Sequence, residues 1–245
     1  PSSFTTFFPH VYFEGPCEVS RCFGPELPRS TLHPLFDLAP NLSIGFYLVY
    51  AQKTVEQGVA HYYNSAILVD KQGEIIGKYR KVHLPGHREN EPWRQFQHLE
   101  KRYFEAGDRF DTWPAFNGIM GMALCNDRRW PETYRVMALA GVEMVFIGYN
   151  TPVHNAPAPL HDDLSLFHNR LSLQAGAYQN GCWVVGVAKA GCEEGIEQIG
   201  GSCIVAPSGE VVAACVTKGD EMVIARCDLD FCQIYKQTTF NFDLH

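Results

Sequence analysis

Short apolar runs bounded by turn residues recur along the chain and predict β-strands. Runs rich in β-branched and aromatic residues occupy residues 42–50, 62–70, 118–124, 143–148, 182–188 and 222–228. Turns containing Gly73 and Gly209 predict two hairpins, one over 62–79 and one over 202–216. The segment over 5–24 is rich in aromatics, proline and glycine without a clean period, so we expect it to be loop with at most a short helix.

Two longer segments have the spacing of helices. A helix over 131–140 is predicted from Pro131 at its first position and Gly141 after its end. A second helix is predicted over 161–179, stopped by Asn180-Gly181. Its apolar face consists of Leu164, Phe167, Leu171, Ala175 and Tyr178.

Hairpins that alternate with two or three amphipathic helices predict stacked sheets flanked by helices. A helix end over 34–38 and a closing helix from about Phe231, capped by Asp228 or Asp230, belong to the same prediction. No linker, low-complexity tract or internal repeat interrupts the 245 residues, so we expect a single domain.

One thiol stands where a predicted strand meets a predicted helix. The apolar run over 118–124 stops at Cys125, a polar run over 126–129 follows, and Pro131 opens the helix. A nucleophile on such a turn lies at the rim of a sheet near backbone N–H groups, which suits acyl transfer. A single cysteine is more often a small core residue, but a core residue is not expected to lead directly into two arginines. The local signatures of cysteine proteases do not surround it.

Composition defines the setting of this chemistry. Hydrophobic residues make up 46% and charged residues 19% of the chain, which are ordinary globular values. The net charge of -7 gives no reason to expect nucleic acid or an anionic membrane as a partner. No apolar run approaches the length of a membrane span, and we expect no signal peptide. The nine cysteines are scattered without a CxxC motif, which favours reduced thiols and a cytoplasmic location.

A long polar and aromatic segment over 80–107 precedes the Cys125 strand. Segments of this length inside compact domains are usually functional. Lys81 lies in it, and an ammonium group near a thiol favours the thiolate and stabilises an oxyanion. Taken alone, the same lysine is more often a solvated charge. His83 and His87 are four residues apart, but Pro85 and Gly86 between them break any helix, so we expect neither a metal nor a cofactor.

Four blocks of sequence carry a family resemblance. They are GKYRKVHLPGH over 77–87, FQHLEKRYFE over 96–105, CNDRRWPE over 125–132 and GYNTP over 148–152. The blocks resemble the carbon-nitrogen hydrolase (nitrilase) superfamily, and within it the N-carbamoyl-D-amino acid amidohydrolases, in the same order through essentially the whole chain. The resemblance implies an α+β fold, a four-layer α-β-β-α sandwich, and homo-oligomers, dimers or tetramers, built by pairing sandwiches.

The resemblance also implies a Glu-Lys-Cys triad and assigns the site residues. Lys81 matches the catalytic lysine, Cys125 the nucleophile and Glu100 a second acidic residue near the site. The matched substrate-pocket positions and site histidines are Asn126, Arg128, Arg129, Asn150, Thr151, His83, His98 and His168.

The implied reaction is hydrolysis of the carbamoyl C–N bond of an N-carbamoyl amino acid through a carbamoyl-enzyme, giving amino acid, carbon dioxide and ammonia. We expect Arg128 and Arg129 to bind the substrate carboxylate in a forked, charge-assisted way. Structural ion pairs with acidic residues are the alternative for each arginine. A β-ureidopropionase-like activity and another amidase of the superfamily remain alternatives for the whole chain.

Both ends depart from the family pattern. The family places its general-base Glu just before the segment over 5–9, where this chain has Pro1-Ser2-Ser3-Phe4, and it continues beyond the position of His245. We therefore expect a chain truncated at both ends that lacks the first strand and the Glu, or a catalytically degenerate member of the family.

Overall fold

The computed structural model describes the backbone of residues 3–7 and the whole of residues 32–244. Contacts divide the chain into two compact units, Pro1–Arg109 and Phe110–His245. Each unit contains its own sheet with helices packed on it, as the α+β prediction requires. No helix in the described ranges combines the length and the apolar character that a membrane span needs.

The first unit is built on a four-stranded sheet. Its strands are β1 (Ser3–Phe7), β2 (Ile44–Glu56), β3 (Val59–Val69) and β4 (Ile75–Arg80), and they lie side by side in this order. The pair β1–β2 is parallel, and the other two pairs are antiparallel. Among the described residues of this unit, two helices accompany the sheet, α1 (His33–Leu42) and the short α2 (Glu100–Tyr103).

Alternating apolar residues join α1 to the sheet. Phe46, Leu48 and Tyr50 recur at every second position of β2 and form one buried cluster with Phe36 of α1. The rings of Phe36 and Phe46 meet edge to face with centroids 5.3 Å apart. A period of two places side chains on one face of a strand, so the alternation over 42–50 forms the surface that α1 covers.

The N-terminal part of this unit corrects two sequence predictions. Residues 5–7 belong to β1 and are not loop, because threonine and phenylalanine favour strands and β2 supplies the hydrogen-bonding partner. The rest of the predicted loop, residues 8–24, lies outside the described residues. The predicted strand at 42–50 starts two residues later, since Leu42 ends α1 and Ser43 has a left-handed φ of 53°.

The hairpin formed by β2 and β3 was not predicted from the sequence. Strands β2 and β3 are joined through Gln57 and Gly58, whose φ values of 53° and 82° are both positive, as in a type I′ turn. The predicted hairpin over 62–79 is confirmed as β3 and β4. The first sheet is therefore a meander of three antiparallel strands with β1 added in parallel at its edge.

The second unit contains a six-stranded sheet and three helices. The strands of the unit are β5 (Thr112–Ala115), β6 (Gly118–Leu124), β7 (Met144–Tyr149), β8 (Trp183–Ala188), β9 (Cys192–Glu193), β10 (Ile196–Glu197), β11 (Cys203–Val205) and β12 (Val211–Ala214). The sheet order is β12-β11-β8-β7-β6-β5, and β9 pairs with β10 apart from it. The helices are α3 (Pro131–Leu139), α4 (Ser165–Asn180) and α5 (Phe231–Lys236).

The core of this unit lies between the sheet and helices α3 and α4. Tyr134 and Met137 of α3 and Leu173 of α4 pack in one buried cluster with Val145 and Ile147 of β7. The strands β6, β7 and β8 are parallel neighbours, and Leu124 at the end of β6 lies opposite Gly148 of β7. The carboxyl ends of these strands therefore open at the same edge of the sheet.

Helix α4 corrects a prediction about its packing. The helix begins at Ser165 after a 3-10 turn over Pro159–Leu164, and it ends where Gly181 adopts a left-handed φ of 55°. The apolar face that the spacing predicted is largely exposed, since Phe167 is 59% and Leu171 52% accessible. The helix instead packs through Leu173 and four small or polar residues, namely Asn169, Gly176, Ala177 and Asn180.

Three elements were predicted in the C-terminal segment: a strand over 222–228, a hairpin over 202–216 and a closing helix. The strand is wrong, and the hairpin and the helix are confirmed. Residues 222–228 do not form a strand; Met222 and Ile224 are exposed and pair with no neighbouring strand among the described residues. The hairpin over 202–216 is confirmed as β11 and β12. Helix α5 starts at Phe231 as expected, but the predicted cap is wrong: Asp230 at the N-cap makes no side-chain capping hydrogen bond, and the Asp228 carboxylate accepts the Asp230 N–H at 3.1 Å, before the helix begins.

Candidate active site

A buried lysine–carboxylate pair lies in the first unit, directly after β4. Lys81 Nζ donates to Glu100 Oε1 at 2.6 Å, and the two side chains are only 1% and 10% exposed. Asn64 Nδ2 donates to the same oxygen at 2.8 Å, and His98 Nε2 lies 3.7 Å from Glu100 Oε2. The structure thus brings together three predicted residues, Lys81, Glu100 and His98, around one carboxylate.

The charge state of Glu100 follows from these neighbours. Burial by itself raises its pKa, but the Lys81 ammonium, which donates to this carboxylate, and the nearby His98 ring outweigh burial and lower the pKa from 4.5 to about 2. A carboxylate that remains ionised down to such a low pH is a poor proton acceptor at neutral pH. Glu100 is therefore suited to holding the Lys81 ammonium in place.

Backbone hydrogen bonds position Lys81. Its N–H donates to the Asn64 carbonyl at 2.8 Å, which continues the β3–β4 ladder by one residue, and the Gly107 N–H donates to the Lys81 carbonyl at 2.8 Å. Asn64 was not predicted from the sequence. The available signal was an asparagine, a poor strand former, inside a predicted strand.

The segment after Lys81 returns toward His98. The His87 N–H donates to the His98 carbonyl at 3.0 Å. Gly86 has a φ of 76°, and a Cβ on it would lie 2.0 Å from the His98 carbonyl oxygen, so only glycine permits this approach. His83 is half-buried in the same segment.

In the second unit, Cys125 stands at the carboxyl end of β6. It opens a 3-10 turn over Cys125–Arg129 with a φ of 45°, a left-handed conformation that costs a non-glycine residue about 1–3 kcal/mol. Asp127 in the turn is buried, and its Oδ2 accepts the Leu124 N–H at 2.9 Å. The predicted turn between a buried strand and a helix beginning at Pro131 is confirmed.

Arg128 connects Cys125 to three other side chains. Its Nη1 donates to the Cys125 carbonyl at 2.6 Å and lies 3.9 Å from Cys125 Sγ. Its Nη2 donates to Thr151 Oγ1 at 3.0 Å, and its Nε donates to Asn169 Oδ1 at 2.7 Å. The guanidinium lies over the Tyr149 ring with Cζ 4.1 Å from the centroid. Thr151 Oγ1 is itself 3.9 Å from Cys125 Sγ.

The two arginines of the turn have different surroundings. Arg128 is buried, whereas Arg129 is exposed. Desolvation of its inner side and the Arg128 charge lower the pKa of Arg129, while the neighbouring Cys125 raises it. Neither guanidinium forms a salt bridge with an acidic side chain in the part of the chain that the structure describes. Arg129 is therefore accessible for the expected binding of a substrate carboxylate, whereas Nε, Nη1 and Nη2 of Arg128 already donate to groups inside the protein.

The other predicted residues lie around this edge or away from it. Asn126 and Asn150 are half-buried next to Cys125 and Thr151 in the chain. His168 is exposed, its ring 5.7 Å from that of His161, and no described contact joins it to Cys125. The next residue along α4, Asn169, faces inward and contacts Arg128 instead.

Asn169 was not predicted, because the apolar spacing pointed to the opposite face of α4. An asparagine on the same helical face as Leu173 and Ala177 is the signal that could have identified it. A buried polar side chain requires hydrogen-bonding partners, and Asn169 has two, Arg128 and the Tyr149 hydroxyl at 3.0 Å. No group of three or more potential metal ligands is assembled within residues 32–244.

Solved structures share this fold. A carbon-nitrogen hydrolase from Helicobacter pylori matches with a TM-score of 0.81 at 23% identity, covering 98% of this chain and 82% of that chain. The NitFhit protein of C. elegans matches with a TM-score of 0.72 at 23% identity, covering 88% of this chain and 50% of that chain. These likenesses confirm the predicted α+β fold of the nitrilase type.

The family model for carbon-nitrogen hydrolases matches residues 1–237, and the chain belongs to this family. N-carbamoylputrescine amidase from Solanum lycopersicum is 33% identical over 81% of this chain and 65% of its own length. The enzyme of the same name from Arabidopsis thaliana is 31% identical over 84% and 68%. A citrullinase from Francisella tularensis is 30% identical over 71% and 58%.

These relatives confirm the predicted carbon-nitrogen hydrolase superfamily. They are named for N-carbamoylputrescine and citrulline, so they do not confirm the finer resemblance to N-carbamoyl-D-amino acid amidohydrolases. The chain spans about two thirds of the length of the tomato amidase, 65%.

Proposed function

We propose that Cys125 hydrolyses the carbamoyl C–N bond of an N-carbamoyl amino acid. The observation that carries the proposal is a thiol on a left-handed turn at the carboxyl end of β6, 3.9 Å from the Arg128 guanidinium, in a member of this family. Lys81 and Glu100 join the proposal through the resemblance, with Lys81 stabilising the oxyanion and Glu100 orienting Lys81.

The proposed chemistry has two stages. Cys125 Sγ attacks the carbamoyl carbon, the C–NH₂ bond breaks, and the departing NH₂ group takes up the thiol proton and leaves as ammonia. The rest of the substrate stays bound to Cys125 as a thiocarbamate. Water then attacks the same carbon, the C–S bond breaks, and Cys125 recovers its proton. The released N-carboxy amino acid loses carbon dioxide to give the amino acid.

The charges beside Cys125 support an acidic substrate. Arg129 is exposed next to the buried Arg128. The carboxylate of the same turn, Asp127, is buried and accepts a backbone N–H. A substrate carboxylate would gain a charge-assisted hydrogen bond from Arg129, whereas a protonated amine tail would meet positive charge. The names of the plant relatives make an N-carbamoyl amine the second candidate.

The test measures ammonia release by the protein expressed from its full native coding sequence. The substrates are an N-carbamoyl amino acid, the matching carboxamide and N-carbamoylputrescine, and Cys125→Ala is the control. A lost charge-assisted pair lowers the rate about ten- to a hundredfold, so the acid is expected to exceed the carboxamide by this factor. Faster turnover of N-carbamoylputrescine would replace the acid with the amine, and no ammonia from any of the three would contradict carbamoyl hydrolysis.

We also propose that the chain forms a homo-oligomer through the exposed face of α4. Phe167 and Leu171 lie one turn apart on this face, and Leu164 continues it into the preceding 3-10 turn. A helix that is apolar on its outer face while its inner face packs on a core is typical of one buried on both sides. Because a two-fold contact places the same patch on both copies, the proposed occupant is the α4 face of a second copy of this chain.

A further inference from the structure

The contacts of Arg128 deepen the proposed function. The inference drawn from them rests on Cys125 being the nucleophile of the proposed reaction. We propose that Arg128 is a positioning residue for Cys125, locked in place by Asn169, and that it does not bind the substrate carboxylate. The two arginines then have different roles. Arg129 alone binds the substrate carboxylate, and the buried Arg128 holds the Cys125 turn in its conformation.

The donors of Arg128 show how it is committed. Its Nε, Nη1 and Nη2 donate to Asn169 Oδ1, the Cys125 carbonyl and Thr151 Oγ1 at distances between 2.6 and 3.0 Å. A guanidinium has five N–H donors in a rigid plane, so fixing three nitrogens fixes the whole group. Three of the five donors are thereby committed inside the protein, and turning the guanidinium toward a substrate carboxylate would break these bonds in a buried site, where unpaired polar groups are costly.

The bond to the Cys125 carbonyl acts on the peptide plane after the nucleophile. The peptide unit is planar, so holding the Cys125 carbonyl also fixes the direction of the Asn126 N–H on its opposite side. That N–H is the backbone donor nearest to a tetrahedral intermediate formed on Cys125. The same bond stabilises the left-handed φ of 45° at Cys125, a conformation that persists only where its surroundings enforce it.

The bond to Thr151 acts on the sulfur. Thr151 Oγ1 accepts from Arg128 Nη2, so its own hydroxyl proton is free to point to Cys125 Sγ, 3.9 Å away. Arg128 Nη1 lies at the same distance of 3.9 Å from the sulfur. Two donors therefore face the atom on which negative charge develops, and Arg128 orients both.

Asn169 holds the Arg128 guanidinium in one orientation. Its Oδ1 accepts from Arg128 Nε and its Nδ2 donates to the Tyr149 hydroxyl at 3.0 Å, so both ends of the amide are used. The Tyr149 ring in turn supports the guanidinium face. Replacement of Asn169 by leucine keeps the volume and removes both hydrogen bonds while leaving Arg128 in the chain.

The experiment compares Arg128→Lys, which keeps the charge but cannot reach three partners, with Asn169→Leu. Arg135→Lys is the matched control, because Arg135 also stacks on a ring, that of Phe242, and donates to a carbonyl, that of Gln179, on the exposed side of α3. The first readout is the rate at which iodoacetamide, a neutral reagent, alkylates Cys125. The second is kcat and KM for an N-carbamoyl amino acid and its carboxamide. Thermal unfolding of each variant shows whether it is folded at the assay temperature.

We expect alkylation to slow about ten- to a hundredfold in Arg128→Lys and in Asn169→Leu and to be unchanged in Arg135→Lys. We expect kcat to fall by a similar factor for both substrates, with KM for the acid within about twofold of the unaltered protein. A rise in KM for the acid alone, with normal alkylation, would overturn the inference in favour of carboxylate binding. Normal alkylation in a folded Asn169→Leu protein would also overturn it.

These readouts separate the inference from the proposed function. If the unaltered protein releases no ammonia, the proposed function fails, and the alkylation rates still decide whether Arg128 positions Cys125. If ammonia is released and only the variants behave otherwise than expected, the proposed function stands and the inference fails. If Arg128→Lys does not fold, Asn169→Leu decides.

Discussion

Replacing Glu100 with glutamine is expected to lower the free energy of unfolding by an amount that depends on pH. The substitution keeps the shape of the side chain and one oxygen acceptor for Lys81 and Asn64, whose nitrogens lie 2.6 and 2.8 Å from Glu100 Oε1. It removes the negative charge from beside an ammonium group that is only 1% exposed. A buried charge that loses its partner is strongly destabilising.

The magnitude follows from the pKa of Glu100. Lys81 and His98 outweigh burial and hold it at about 2 instead of 4.5. At about 1.4 kcal/mol per pKa unit, this difference corresponds to a stabilisation on the order of 3 kcal/mol. Because the folded pKa lies below the unfolded one, the stabilisation is complete above pH 4.5 and is lost as the pH falls toward 2.

The measurement is urea unfolding of the unaltered protein and of Glu100→Gln at pH values from 7 down to 2. The two curves should differ by about 3 kcal/mol at pH 7 and converge below pH 4.5. Glu105→Gln is the matched control, because the Glu105 carboxylate also lies at hydrogen-bond distance from a side-chain nitrogen, His61 Nδ1 at 3.0 Å, but is half exposed. An exposed pair contributes about 1 kcal/mol or less. A difference for Glu100→Gln that stays constant from pH 7 to 2 would refute the reasoning.

Two further predictions concern the thiols and the assembly. Of the described cysteines, Cys125 should be the first alkylated by limiting iodoacetamide in peptide mapping, since burial raises the pKa of Cys182 and Cys232 to about 12; earlier labelling of the exposed Cys192 would contradict this. Phe167→Glu should shift the protein toward the monomer in size-exclusion chromatography with light scattering, because it places a charge on the exposed face of α4, whereas Val216→Glu, at another exposed apolar residue, should not. An unchanged mass for Phe167→Glu would exclude this face as the contact.

The surroundings of Cys125 could be predicted because the relevant signals are local. An apolar run, one thiol, a polar run and Pro131 follow each other within fourteen residues, and each residue type restricts its own backbone. The hairpin over 202–216 was predictable for the same reason, since Gly209 in its turn has a φ of 83°. Where local chemistry determines the conformation, the sequence and the structure agree.

The failures arise where another part of the molecule decides. Residues 222–228 have a strand-like composition, but a strand needs a partner, and no described strand pairs with them. The apolar stripe of α4 has a clear helical period, yet the side that packs on the core is the one carrying Asn169 and Gly176. Spacing identifies a face; it does not state what covers that face.

Both clusters share one principle that a motif does not reveal. Lys81 and Arg128 have long side chains with many rotamers, and each can act on a reacting atom only if it is held in one conformation. In each case a neutral asparagine from another element completes the holding: Asn64 of β3 shares the carboxylate that binds Lys81, and Asn169 of α4 binds Arg128 directly.

An asparagine can do this without changing the local charge, so the cation remains available to stabilise negative charge at the site. It stands far from its cation in the sequence, at separations of 17 residues from Lys81 and 41 from Arg128. The proposed reacting groups, Cys125 and Lys81, can therefore be found as motifs, whereas the residues that hold them become visible only once the strands and helices are packed.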